Sequence, residues 1–525
     1  MVVADRRRGT ERMARWLPPA LAGGFAVVAL VVGLRGVDFP AQLYRVGLFH
    51  RDGLVVWDSQ WYGGHWTLDY SVLFPPVAGV FGVQVTAVAS AVLAALGFDR
   101  LAFAHFGPRA RLGSVLFAAG TSVQVVIGQL PFLLGESLAL AAFWAASRRR
   151  WGVAAVLALL SAGASPLAGA FLGLALVPWL LTARPGTRAR VCAIAVAALT
   201  PVAVLSVLFP GQGSMPFPAS DFVQLLALFA GVVLVIPGQE RLLRVGAALY
   251  LAAIAGSFVL STPVGGNVSR LGECLGAPLA ICVLWPRRRW LLAAAIVPLV
   301  ALEWSPAFAT LQVSGDPSAH AAYYVPLLQF LAGHGQPAGR VEVVPTRTHW
   351  EADYVAPKFP LARGWERQLD TADNPLFYER GALTPSTYSS WLVDNGVRYV
   401  ALPDVHLDYA GQAEGRLLVH GVKGLSPVWS SGHWRVFQVG GSRGIVDGPA
   451  SLLHLEGGQV DLHVAAPGTV LVRVRYDPRW DVVADVGCVR PTPAGWTELL
   501  GAAPGDVRLQ LRLVGDSDAL CSPPT

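Results

Sequence analysis

The sequence predicts an α-helical polytopic membrane protein that ends in a folded polar domain. Three observations carry this reading. Over half of the 525 residues are hydrophobic and only 14% are charged, against about a quarter charged in an ordinary soluble protein. Apolar segments near, or slightly short of, the roughly 17–25 residues that cross a bilayer recur about eleven times in the first 305 positions. Arginine clusters separate those segments in alternation with loops poor in Lys and Arg. The formal net charge of +6 therefore follows from membrane topology and calls for no nucleic-acid partner.

The chain opens with a basic run from Asp5-Arg6-Arg7-Arg8 to Arg15. The apolar stretch 16–34 reads as a retained first span, because the small residues before Asp38 make no convincing cleavage site. Further spans are expected at 72–96, 112–129, 131–147, 151–164, 167–182, 189–209, 222–237, 242–260, 270–285 and 289–305. With a cytoplasmic N-terminus, this order puts every basic cluster inside: Arg100/Arg109/Arg111, Arg148-Arg149-Arg150, Arg184/Arg188/Arg190, Arg241/Arg244 and Arg287-Arg288-Arg289. Loops 36–71, 128–131, 162–167, 210–221 and 261–270 fall outside and are poor in Lys and Arg, although the first carries Arg45 and Arg51, spread over a long loop, and the last ends at Arg270. The expected location is a plasma membrane, with the lipid bilayer as the first partner and the C-terminal domain extracytoplasmic.

From Pro306 onward the composition turns polar and rich in Pro and Gly, with no further span. The expected domains are 1–305 in the membrane, an outer α/β region at 306–430, and a β-rich unit at 431–525. Residues 321–332 read as a short amphipathic helix, 340–344 as a strand, 388–395 as a helix and 397–402 as the strand after it. Alternating runs at 433–439, 459–464, 469–476 and 506–514, set between turn-rich gaps, suggest a small β-sandwich. Of the five cysteines, Cys192, Cys274 and Cys282 lie in or beside apolar segments as packing residues. Cys488 and Cys521 lie in the polar part and can pair as a disulfide in an oxidising compartment, with two free thiols as the alternative. No Cys-x-x-Cys or His/Cys cluster is present.

The chemistry concentrates in the first outer loop, at 57–76. Asp58 and Asp69 are the only carboxylates between Trp57 and Pro76. A carboxylate partly desolvated beside tryptophans holds a raised pKa and suits a general base. Trp57, Trp61, Tyr62 and Trp66 offer flat faces on which sugar rings stack, and His65 lies among them. Gly63-Gly64 lets the backbone turn sharply or approach a ligand. Phe74-Pro75-Pro76 suits the first turn of the next helix. An interfacial aromatic belt would explain the tryptophans alone, but neither Asp58 nor the glycine pair.

An N-terminal helix, an outer loop reading Trp-Asp-x-x-Trp-Tyr-Gly-Gly (57–64) and a Phe-Pro-Pro helix start together resemble the GT-C superfamily of membrane glycosyltransferases. The pattern is especially similar to the actinobacterial, polyprenyl-phosphate-sugar-dependent branch of the mycobacterial-envelope type. Segments 364–370, 374–378, 391–397 and 432–436 are similar to parts of actinobacterial members too. The resemblance implies a GT-C-like membrane domain with an extracytoplasmic C-terminal domain. It also implies inverting transfer of a sugar, such as arabinose or mannose, from a polyprenyl-phosphate donor to a cell-envelope glycan or glycolipid acceptor. The base it implies is Asp58, with Asp69 second. The loop has no adjacent acidic pair and no Asp-x-Asp, so both the choice of base and the use of a divalent cation stay open.

Such a donor needs a phosphate site. Arg270, at the end of the loop 263–270, is the expected phosphate ligand, aided by Asn267, Ser269 and a helix N-terminus. Glu273, three residues on, is either part of that site or the ion-pair partner of Arg270. Glu136 either faces the same cavity or caps a helix. Asp221 reads as an N-cap after a mobile loop, and Glu303-Trp304 as interfacial anchors. In the outer domain, Trp350, Glu351, Trp365, Glu366, Asp370 and Asp373 are candidate glycan contacts. No phosphate-binding glycine loop, nucleophile elbow or nucleic-acid module is present. Two other classes fit the composition: a transporter or lipid-linked-glycan flippase, and a non-enzymatic envelope assembly protein.

Overall fold

The computed structural model describes residues 16–211, 213–334, 339–483, 487–513 and 520–521. The basic N-terminal run and Val514, the end of the last expected strand, lie outside the described residues. The chain divides into two compact units, Met1–Gln42 with Asp69–Ser314, and Leu43–Leu68 with Gly315–Thr525.

In the first unit a helix stands at each expected apolar segment. These are α1 (Leu17–Val32), then, after α2 (Phe39–Asp52) and the short α3 (Phe74–Phe81), α4 (Val83–Phe106), α5 (Arg111–Ile127), α6 (Leu130–Ser147), α7 (Trp151–Ala164), α8 (Pro166–Thr182), α9 (Pro185–Leu208), α10 (Ala219–Val235), α11 (Arg241–Val259), α12 (Ser269–Leu284) and α13 (Arg289–Leu311). Six stretches among the described residues are long and apolar enough to cross a membrane, and α4 and α5 share one of them, Val83–Ile127. The chain is a multi-pass membrane protein. Large apolar side chains point away from the bundle, among them Val31, Val207, Leu234 and Trp290, each more than three-quarters exposed. Small residues fill part of the helix contacts. Ala142, Ala146, Ala154, Ala158 and Ala198 form one buried cluster, where the absence of bulk lets helix backbones approach.

The span expected at 72–96 is two helices. Gly82, at φ 88°, breaks α3 from α4. Helix α4 then runs ten residues beyond the expected end, through Asp99. That carboxylate is buried within the helix and lies 3.9 Å from Arg111. At the other end of the unit, α13 passes through Pro306 to Leu311, and the unit boundary falls at Ser314/Gly315 rather than at 305/306.

The second unit takes in part of the expected first loop. Most of α2 and an antiparallel hairpin, β1 (Trp57–Asp58) with β2 (His65–Trp66), belong to it. Its α/β layer holds α14 (Ala321–Gly333), β3 (Arg340–Val343), α15 (Glu351–Tyr354), α16 (Arg367–Asp373), α17 (Pro385–Asp394), β4 (Val397–Pro403), α18 (Gln412–His420), β5 (Leu425–Ser430) and β6 (Trp434–Val439). The sheet order is β3-β4-β6-β5, with β3 and β4 parallel and the other pairs antiparallel. Tyr388, Trp391, Leu392, Val400 and Leu402 anchor its core. The boundary expected at 430/431 thus cuts a sheet. Residues 433–439 alternate like a sandwich strand, but β6 pairs with β4 and β5 instead.

The remaining strands are β7 (Val446–Asp447), β8 (Ala450–Glu456), β9 (Gln459–Val464), β10 (Val470–Arg475), β11 (Trp480–Val482), β12 (Cys488–Pro491), β13 (Trp496–Leu500) and β14 (Gly505–Leu511). They form two antiparallel four-stranded sheets, β12-β13-β10-β7 and β11-β14-β9-β8. Every second residue faces inward, as the two-residue period of a strand requires: Val470, Val472 and Val474 on one strand, Val460, Leu462 and Val464 on another. A disulfide joins Cys488 to Cys521.

Candidate functional site

The hairpin 57–66 is packed inside the second unit. Gly64 has φ 131°, and a Cβ there would lie 2.2 Å from the Trp57 ring. Gly63 has φ 80°, and its Cβ would meet the Trp496 ring at 2.6 Å. The glycine pair therefore serves close packing of the turn. Backbone bonds from Leu361 N to Gln60 O (2.8 Å) and from Arg475 N to Gly63 O (2.8 Å) hold the hairpin, and Ser59 Oγ donates to Gly457 O at 2.9 Å.

The four aromatic residues expected as open sugar platforms are buried, none more than 6% exposed. Trp61 stacks between Tyr44 (4.4 Å) and His65 (5.3 Å). Trp57 meets Trp66 and Trp480 edge-on, and the Arg479 guanidinium covers Trp66 at 4.0 Å. The Tyr62 hydroxyl donates to Glu366 O at 2.9 Å. These rings bury too much apolar area against protein to leave a face for a ligand.

Asp58 is fully buried. Its Oδ2 accepts from the Tyr44 hydroxyl at 2.7 Å and its Oδ1 from Gln60 N at 3.1 Å. Burial pushes its carboxyl up to about 6, against the lowering effect of those two donors. His65, its cross-strand neighbour, is held neutral: burial and the nearby Arg45 push it down to about 3. Arg45 makes its own ion pair with Glu366. The other outer-domain carboxylates expected to touch a glycan are also engaged internally. Arg363 Nη2 reaches Asp370 at 2.5 Å, and Glu351 accepts from the Thr346 hydroxyl at 2.6 Å. Asp373 lies 3.6 Å from Arg475, and Trp350 is fully buried. Arg45 also lies 5.7 Å from the Trp365 ring.

The first unit holds Asp69, in the turn before α3, and all the residues expected around the phosphate. Asn267 lies in a 3-10 turn, Gly265–Val268, and Ser269 and Arg270 open α12. The Tyr250 hydroxyl fixes this start by donating to Val268 O (2.8 Å) and accepting from Gly272 N (3.1 Å). Of the loop 210–220, expected to be a mobile flap, Met215 packs against the chain leading into the same turn. Met215 N donates to Thr262 O at 3.0 Å, and a Cβ on Gly265 would strike Met215 O at 1.9 Å. Asp221 lies in the first turn of α10, whose N-cap is Pro218.

Arg270 pairs with Asp38, at 3.8 Å, rather than with Glu273, and its guanidinium lies 5.8 Å from the Phe132 ring. Asp38 is the residue sequence reasoning missed, although it is the first carboxylate after the first span. Its position is fixed by the end of α5. Gly36 N donates to Val126 O (2.7 Å) and Asp38 N to Ile127 O (3.0 Å). Gly128, at φ 95°, closes α5, and a Cβ there would lie 2.4 Å from Phe39 N. Nearby, Gln42 Nε2 donates to the Tyr70 hydroxyl at 3.2 Å. A carboxylate in the turn between α1 and α2 and a guanidinium in the first turn of α12 can accept a proton and bind an anion, respectively.

Glu136 is neither a cap nor at a helix end. It lies one turn into α6 from Phe132 and accepts from Gln124 Nε2 at 2.7 Å. Glu303 is no interfacial anchor either: it is only 3% exposed and packs over Gly120, where a Cβ would lie 2.0 Å from its Oε1. Glycine at 120 is what makes room for that carboxylate, a signal visible only once the helices are paired. Among the described residues, no three His, Cys, Asp or Glu side chains are placed to hold a metal ion.

No family model matches the chain, and no curated protein matches it. Among solved structures, a crystal structure of ArnT from Cupriavidus metallidurans bound to undecaprenyl phosphate is similar at 16% sequence identity and a TM-score of 0.40. The similarity covers 79% of this chain and 97% of that one.

Proposed function

We propose that the chain is a membrane glycosyltransferase that moves a sugar from a polyprenyl-phosphate donor to a cell-envelope glycan or lipid acceptor on the extracytoplasmic face. The observation that carries this reading is the Asp38–Arg270 pair, 3.8 Å apart, with Asp38 in the turn between α1 and α2 and Arg270 in the first turn of α12. The sequence resemblance of the first loop to GT-C enzymes points to the same chemistry. Arg270 holds the lipid phosphate by charge-assisted hydrogen bonds. A carboxylate removes the acceptor hydroxyl proton as that oxygen attacks the anomeric carbon. The bond from anomeric carbon to phosphate oxygen breaks, and the phosphate leaves as an anion that needs no proton from the enzyme. A divalent cation remains compatible with this scheme, and the sugar is a pentose or hexose of the arabinose or mannose kind.

Asp38 leads as the base because it stands beside the phosphate ligand. Asp58 and Asp69 are the sequence-derived alternatives. The test uses membranes containing the full chain and labelled polyprenyl-phosphate sugars. Asp38→Asn should lower transfer by about 10²–10⁴-fold, the usual contribution of a general base. Arg270→Gln should raise the donor KM. Full transfer in Asp38→Asn, with loss in Asp58→Asn or Asp69→Asn at normal expression, moves the base to the loop. Full transfer in all three variants rejects the reaction in this form.

A further inference from the structure

We propose that the Asp38–Arg270 site continues into the helix bundle as an acceptor-lined subsite for the hydroxyl groups of the sugar carried on the lipid phosphate. This rests on the phosphate reading above and adds a place for the sugar itself.

Three helices make the same step away from the pair. On α12, Cys274 lies one turn from Arg270. On α6, Glu136 lies one turn from Phe132, the ring near Arg270. On α5, Gln124 lies one turn from Ile127 and Gly128, which position Asp38. These three side chains meet: Gln124 Nε2 contacts Glu136 Oε2 at 2.7 Å and Cys274 Sγ at 3.3 Å. A further turn along α5, Gly120 faces Glu303. Each step is about 5.4 Å, the pitch of a helix and the scale of one sugar ring.

The groups gathered there are short of donors. Glu303 is 3% exposed, and neither of its oxygens has a hydrogen-bond partner among the described residues. Gln124 is 5% exposed, and its Oε1 has none either. Three unpartnered acceptor atoms in an apolar bundle carry an uncompensated desolvation penalty unless a ligand supplies donors. A carboxylic side chain inside a membrane bundle marks a functional site by default. Sugar hydroxyls are donors, and carboxylate oxygens take adjacent hydroxyl pairs well. The lipid phosphate at Arg270 would bring such hydroxyls to this depth.

The test measures binding of bare undecaprenyl phosphate, and of the same lipid carrying a pentose or a hexose, to the full chain in nanodiscs. In the unaltered protein, at least one sugar-bearing lipid should bind more tightly than the bare one. Glu303→Gln and Glu136→Gln should each remove about tenfold of that gain while leaving bare-lipid affinity unchanged. Gly120→Ala, which adds a methyl group where Glu303 sits, should act in the same direction, and thermal melting confirms that each variant is folded. Equal losses for bare and sugar-bearing lipid, no gain from either sugar, or a gain that depends on sodium concentration instead of sugar would overturn the subsite. Unchanged bare-lipid binding in Arg270→Gln would instead overturn the phosphate site on which it rests.

Discussion

At the scale of single residues, Asp58 shows how burial and function can diverge. It carries the raised pKa sought in a general base, but it has no exposed surface, and two protein donors occupy its oxygens. Its ionisation is therefore coupled to folding. The folded carboxyl keeps its proton up to about pH 6, whereas an unfolded aspartate releases it near about 3.9. Between those values the folded state binds more protons, so stability falls as pH rises through the window and levels off above it. Asp58→Asn removes that slope and still leaves a carbonyl oxygen for the Tyr44 hydroxyl. The variant should match the unaltered protein near pH 4 and exceed it near pH 7 by up to roughly 3 kcal/mol. Thermal unfolding followed by tryptophan fluorescence at the two pH values reads this. Parallel curves would mean that Asp58 is already ionised in the fold. The partners of Asp58 explain why its burial was not legible in the sequence. Trp480 and Trp496, which enclose the hairpin, lie more than four hundred positions away from it. The aromatic residues of 57–66 looked like ligand platforms because their packing partners come from the far end of the chain.

At the scale of elements, the apolar helices were legible because hydropathy over a window needs no knowledge of partners. Their ends were not. Gly82 splits one span in two, and an ion pair with Arg111 lets Asp99 stay inside α4, and neither effect is a matter of average hydropathy. Likewise, the spacing offers Glu273, three residues on, as the partner of Arg270, whereas the carboxylate that pairs with it comes from the turn after α1. That turn depends on one glycine. Gly128→Ala would force a Cβ to within 2.4 Å of Phe39 N, at a backbone φ of 95° that disfavours any other residue. The expected result is displacement of the Gly36–Asp38 turn while Arg270, on α12, keeps its place. Transfer should then fall mainly in kcat, with donor KM within about threefold, because the proposed base moves and the proposed phosphate ligand does not. A rise in KM at unchanged kcat would show that the turn serves binding, and would remove Asp38 from the base role.

At the scale of the whole molecule, charge pattern and cysteine pairing bear on which side of the membrane each part occupies. The basic clusters, read with the positive-inside rule, predict that the C-terminal domain lies outside. The disulfide between Cys488 and Cys521 is independent of that rule and points the same way, because such bonds persist in oxidising compartments. It closes a segment of 33 positions, and a loop of that size is expected to stabilise the β-rich unit by about 3–4 kcal/mol. Two measurements on whole cells follow from this. A membrane-impermeant thiol reagent applied after reduction should label Cys488 and Cys521, and Cys488→Ser should lower the melting temperature of the protein under oxidising conditions only. Reporter fusions at loop 148–150 and after residue 511 should then report opposite sides. If the fusion after residue 511 reports the cytoplasm, the charge rule has been misapplied at one span. In that case the eleven expected spans must include one that does not cross, and the first to test is α7, which at 14 residues is shorter than a bilayer usually needs.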